Sequence, residues 1–144
     1  MKTLYKTTVT TTGGRNGHTT SDDGVLDMKL SMPKSLGGEG GEYTNPEQLF
    51  AAGYSACFGS ALELVAKSHK IDLGDFSITG IVEIGQNEDE DALDLAVTLD
   101  CYIPGVDVES GEKLVNQAHE ICPYSRATWD NIDVTLNLLL DEDE

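Results

Sequence analysis

The chain has 144 residues, is 39% hydrophobic and 6% aromatic, and carries a formal net charge of −17. That length suits one domain over residues 1–144 with a modest core. The acidic balance argues against nucleic acid and anionic membrane surfaces as partners, and no apolar run approaches the ~20 residues of a bilayer span.

The first ten residues, MKTLYKTTVT, alternate instead of running apolar, so they do not read as a signal peptide. Tyr5, Thr7, Val9 and Thr11 mark a Thr-rich strand. Leu26, Met28, Leu30 and Met32 alternate with Asp27, Lys29 and Ser31, which predicts a half-buried strand ended by Pro33. Gly13-Gly14-Arg15-Asn16-Gly17 joins the two as a hairpin-like loop with Arg15 at its tip. A Gly-rich connection follows, from Leu36 to Gly41.

A helix then opens. Asn45 can cap it, Pro46 suits its first turn, and Gln48 sits where a capping box wants an amide. From Leu49 the run LFAAGYSACFGSALELVA is apolar on nearly every side, the pattern of a helix buried inside a fold or an oligomer. Three alternating strands are expected around Phe76–Ile84, Leu95–Ile103 and Ile132–Leu138. A second helix runs from about Gly111 to Cys122, with Leu114, Val115, Ala118 and Ile121 inward, and Pro123 stops it. The acidic runs NEDEDALD (87–94) and DEDE (141–144) read as a solvated loop and a frayed end.

Three cysteines, an odd number, without a secretion signal argue for a reducing cytoplasm, where a disulfide is usually transient and catalytic or redox-sensing. Cys101 lies on the apolar face of a strand beside Leu99 and Ile103 and reads as a small buried hydrophobe. Cys57 shares a helix face with Phe50, Gly53, Tyr54 and Ala61; core packing is the plain reading. As a nucleophile it would need a cation brought to it, because the helix N-terminus is too far away to act on it. Cys122 ends the second helix, where the dipole favours cations, a place better suited to a resolving thiol than to a primary nucleophile. A metal site is the rival. There is no CxxC or HxxxH, and His18 and His69 add no second pair to His119 and Cys122, so no metal is expected.

The blocks GGRNGHTTSDDGVLDMKL, PKSLGGEGGEYTNPEQLFAAGYSACF and HEICPYSRATWDNIDVTL, in this order, resemble the Ohr/OsmC family, in its organic hydroperoxide resistance branch, over almost the whole chain. The resemblance implies an α+β fold, an intertwined homodimer with antiparallel β-sheets wrapped around central buried helices. It implies a thiol peroxidase that reduces organic and fatty-acid hydroperoxides to alcohols. Cys57 would be the peroxidatic cysteine, Cys122 the resolving one, Arg15 the essential arginine and Glu47 its carboxylate partner. The reductant would be a dithiol, the lipoyl group of a lipoylated protein, with no bound cofactor.

The residue types fit that chemistry. Only an ionised thiol attacks an O–O bond, and a free cysteine with pKa about 8.5 is mostly protonated at neutral pH. A permanently charged guanidinium can hold the thiolate and the developing alkoxide, and a carboxylate can fix its other edge. Otherwise Arg15 is a solvated loop charge and Glu47 a first-turn acid. Phe50, Tyr54, Phe58 and Leu62 make an apolar wall for a greasy peroxide tail.

Trp129-Asp130 departs from the small, basic and glycine residues the family is expected to carry after CPYS, and the acidic surface is heavier than usual. A non-catalytic small-molecule binder or stress protein using the same apolar cleft is the alternative. A straight helix would put Glu47 and Cys57 about 15 Å apart. Either it breaks, near Gly53, or the glutamate beside a given Cys57 comes from a second subunit.

Overall fold

The structure is a computed structural model and describes residues 1–141; the rest of the acidic tail, 142–144, lies outside the described residues. One domain is expected from length, and the chain folds as two compact units, Met1–Leu49 and Phe50–Glu144.

In the first unit, β1 (Val9–Thr12), β2 (His18–Ser21) and β3 (Asp27–Lys29) form an antiparallel sheet in the order β1-β2-β3. The sequence reading differs in three respects. The Thr-rich strand starts only at Val9. The GGRNG loop leads into β2, which was not expected, instead of into the Met28 strand. That strand is three residues long and exposed, and only Leu30 after it is buried. Leu30 is also the only buried hydrophobic residue of residues 1–49, because Thr and Asp occupy positions that a sandwich would fill with Val and Ile.

The GGRNG loop is a 3₁₀ turn over Gly14–Asn16. Gly13 takes a φ of 79°, the left-handed region open to glycine. At Gly17 a Cβ would lie 1.6 Å from the carbonyl oxygen of Thr12, so no other residue fits. The turn is tied down by Asn16, whose Oδ1 accepts from the Met32 N–H at 2.9 Å.

Helix α1 runs unbroken over Pro46–Ser68, so the possible break near Gly53 does not occur. Asn45 caps it as expected: its Oδ1 accepts from the Gln48 N–H at 2.8 Å. The Gln48 side chain does not close a capping box; it accepts from the Thr44 hydroxyl at 2.9 Å. By length and composition α1 could cross a membrane, against the expectation that no run qualifies. A core helix passes the same test, and the side chains of Tyr54, Phe58 and Leu62 are fully buried. Its other side, through Ala52, Ala56, Ser60 and Leu64, is exposed in the single chain.

The second unit adds β4 (Ser77–Gln86), β5 (Leu93–Tyr102), α2 (Val108–Ile121), α3 (Pro123–Thr128) and β6 (Asp133–Leu139). β4 and β5 pair antiparallel across the acidic loop, where Asn87 Oδ1 accepts from the N–H groups of Asp89 and Glu90. β6 pairs parallel to β5, so this sheet is mixed and not antiparallel throughout. The helical crossover α2–α3 between β5 and β6 permits that direction. Alternate residues of β5 and its extension, Val97, Leu99, Cys101 and Ile103, point into the core as their spacing predicts.

α2 starts earlier than expected, at the Asp107 cap, whose side chain accepts from the Ser110 N–H at 2.7 Å. Leu114, Val115 and Ala118 face inward, but Ile121 is exposed. Pro123 ends α2 and also begins α3, because proline is preorganised for a first helical turn. Leu99→Ala should destabilise the protein by about 2–5 kcal/mol, the usual cost of a cavity at a fully buried leucine. The urea midpoint should fall without a change of slope, while Glu88→Ala on the exposed loop should leave it unmoved.

Candidate active site

The four residues singled out from the sequence fall into two pairs of side chains, one in each unit. In the first, Arg15 on its 3₁₀ turn grips Glu47 in the first turn of α1. Nη1 donates to Oε2 at 2.8 Å and Nη2 to Oε1 at 2.7 Å, a two-pronged fork that fixes the guanidinium plane. Arg15 is thus an ion-paired loop residue, with its side chain still 32% exposed. The hydrogen bond to Arg15 holds the Glu47 carboxyl below the usual carboxylate range, against a smaller opposing effect of burial. The same bond raises Arg15.

In the second unit, Cys122 Sγ donates to Cys57 Sγ at 3.7 Å. Cys57 is half-buried on α1, and Cys122 is fully buried at the joint where α2 ends and α3 begins. Both thiols are free. Burial pushes the Cys57 thiol above its ordinary value, opposed in part by a hydrogen bond with the Tyr124 backbone. No cation contributes to that balance among the described residues. Cys101 is apart from this pair; it is fully buried in β5, and burial pushes its thiol up to about 12.

The expected apolar wall needs correction. Tyr54, Phe58 and Leu62 are fully buried in the core and cannot line an open wall in this chain. They occupy the inward stripe of α1, which periodicity alone could not tell from a cleft. Phe50 remains half-buried, with Tyr54 edge-on at 6.0 Å and Tyr124 at 6.4 Å between ring centroids. Tyr124, 40% exposed, was not singled out from the sequence, although the CPYS block contains it. Its ring lies over Gly53, where an added Cβ would sit 2.9 Å from the phenol oxygen. The Trp129 indole stacks on His119 at 4.8 Å, and Asp130 takes a left-handed φ of 56°, where the expected glycine would be unstrained. Burial lowers the His119 pKa. No three His, Cys, Asp or Glu side chains converge among the described residues.

Two outcomes follow. Mild oxidation should join Cys57 to Cys122 and leave Cys101 free, as peptide mapping of the oxidised protein will read; Cys101 in the main bridge would contradict it. Glu47 is more acidic folded than unfolded, so its pairing stabilises fully above the ordinary carboxylate pKa of about 4.3 and is lost as pH falls through the lower folded value. In thermal melts from about pH 6 to about pH 3, Glu47→Gln should therefore show a shallower fall than the parent chain.

Residues 38–137 match the model of the family described as OsmC-like protein. The organic hydroperoxide resistance protein of Xanthomonas axonopodis pv. citri is 51% identical over 138 residues, 95% of this chain and 96% of that protein. Organic hydroperoxide resistance protein OhrB of Bacillus subtilis is 51% identical over 135 residues, 94% of this chain and 98% of that one. The crystal structure of an organic hydroperoxide resistance protein from Elizabethkingia anophelis, with thiocyanate bound, superposes with a TM-score of 0.92 at 52% identity, covering 98% of this chain and all of that one. The α+β fold, two small sheets with three helices, is that of these proteins, and the chain belongs to the OsmC-like family.

Proposed function

We propose that this protein serves organic hydroperoxide resistance as a two-cysteine thiol peroxidase, reducing alkyl or fatty-acid hydroperoxides to alcohols. The approach of Cys122 Sγ to Cys57 Sγ at 3.7 Å carries the reading. The names of the relatives support the substrate class.

The Cys57 thiolate attacks the outer oxygen of the hydroperoxide. An S–O bond forms, the O–O bond breaks, and the alkoxide leaves and takes a proton to become the alcohol. Cys57 is left as a sulfenic acid. The Cys122 thiolate then attacks that sulfur; the S–S bond forms and hydroxide leaves as water. A dithiol, the lipoyl group of a partner protein in the cytoplasm, reopens the bridge by exchange. Arg15 supplies the charge that the first step needs, by holding the thiolate and the developing alkoxide, and Glu47 holds Arg15 in place. A non-catalytic binder with the same apolar surface would need neither thiol, and their proximity favours the enzyme.

The working unit in this proposal is a homodimer. One guanidinium fork cannot reach both Glu47 and Cys57 along an unbroken helix, where ten residues rise about 15 Å. Arg15 and Glu47 of one chain would then serve Cys57 and Cys122 of the other. Two features favour a second copy: the exposed side of α1 with Leu64, and a first unit that buries one hydrophobic residue of its own.

Arg15→Ala should nearly abolish consumption of cumene hydroperoxide and raise the pKa of Cys57, read as thiolate absorbance. An unchanged titration would assign the ionisation to another group. Co-refolding Glu47→Ala with Cys57→Ser should restore activity, to at most about half of the parent per heterodimer, because one of two sites is intact. Heterodimers that form and remain dead would place the site within one chain.

A further inference from the structure

We propose that Tyr54 is a positioning residue of the two-thiol site: its hydroxyl pins α3, and through α3 holds Cys122 within reach of Cys57. This rests on the two-thiol reading above and adds to it a group that acts through another. The observation is what anchors α3. That helix has six residues, too few to be stable alone. Its buried residues are Ser125 and Thr128, both hydroxyl-bearing, while Pro123, Tyr124, Arg126 and Ala127 are exposed. So α3 has no fully buried apolar side chain to hold it; its one packed ring, Tyr124, 40% exposed, lies against Phe50 and, at 5.8 Å between ring centroids, against Tyr54 itself. Both buried hydroxyls meet Tyr54, which is itself fully buried. Its oxygen lies 2.8 Å from Ser125 Oγ and 3.2 Å from Thr128 Oγ1. Thr128 Oγ1 also lies 3.0 Å from the Ser125 carbonyl.

Cys122 is coupled to this anchor by the backbone. Its N–H donates to the Ala118 carbonyl at 2.8 Å, the end of α2, and its carbonyl accepts from the Arg126 N–H at 2.9 Å, the start of α3. Where α3 sits therefore fixes where the Cys122 sulfur sits. A phenylalanine would fill the core at position 54 as well as tyrosine does; the hydroxyl is what reaches α3.

The position matters because a Cys57 sulfenic acid has two fates. Cys122 attacks its sulfur, forming S–S and releasing water. Otherwise a second hydroperoxide adds another oxygen to that sulfur, its O–O bond breaks, an alcohol leaves, and the sulfinic acid that remains is not recovered by thiols. Loosening α3 slows the first fate and leaves the second unchanged.

Closure is measured without peroxide, using Ellman's reagent on the fully reduced chain. One thiol displaces a thionitrobenzoate to give a mixed disulfide; the other then displaces the second as the bridge closes. Tyr54→Phe should slow the second release by about three- to tenfold, close to the net worth of one hydrogen bond, with the first release unchanged. Ser125→Ala breaks the same contact from the other end and guards against misfolding of the first variant. It should slow closure too, and the double variant should match Tyr54→Phe alone. In excess cumene hydroperoxide, the sulfinic form read by mass should rise in Tyr54→Phe. Closure at the parent rate in both variants would overturn the proposal. A parent chain that closes its bridge but consumes no hydroperoxide would sink the peroxidase reading and not the pinning.

Discussion

In the proposed peroxidase, a thiol that must meet an apolar peroxide faces two opposed demands. Apolar surroundings admit the substrate but penalise the thiolate that must attack it. Cys57 shows the penalty: half-buried on α1 beside Cys122, it is held above its ordinary pKa chiefly by burial. The Tyr124 backbone offsets part of that, and a neutral donor does only so much. A guanidinium suits the remainder, since it stays charged at any pH of interest and hydrates weakly enough to enter a dry site. In the proposed site, the pairing of Arg15 with Glu47 at 2.7 and 2.8 Å would fix that group before any substrate arrives. Such preorganisation is what makes electrostatic stabilisation effective.

The second demand is geometric. Two sulfurs at 3.7 Å must approach to about 2.05 Å to bond. A joint between two helices is a suitable place for the moving partner. Cys122 caps both α2 and α3 and is hydrogen-bonded to each, so the placement of its sulfur depends on both helices. Pro123 keeps the joint from becoming one continuous helix.

Much of this was legible in the residues. Alternation located β4, β5 and β6, and the Asn45-Pro46 start placed α1 correctly. The buried character of Cys101 followed from its neighbours on β5. The four charged and thiol residues were singled out by the motif blocks, and periodicity alone would have left Cys57 as core and Arg15 as a loop charge. Other features were hidden for physical reasons. β2, His18–Ser21, has no hydrophobic side chain, so no alternation announces it. Its pairing comes from the turn that Gly17 permits. The parallel direction of β6 depends on a crossover that local pattern does not encode. Ser125 and Thr128 look like surface hydroxyls in sequence, and only the fold brings the Tyr54 oxygen to them.

In the proposed mechanism one chain reduces one organic hydroperoxide using two of its own thiols. The direct measurement is stoichiometry in a single turnover, with fully reduced protein, excess cumene hydroperoxide and no reductant. About one hydroperoxide should be reduced to alcohol per chain in the fast phase, with two of three thiols lost and the Cys101 thiol kept. Alcohol formed with no loss of thiols, or thiols lost without alcohol formed, would contradict it.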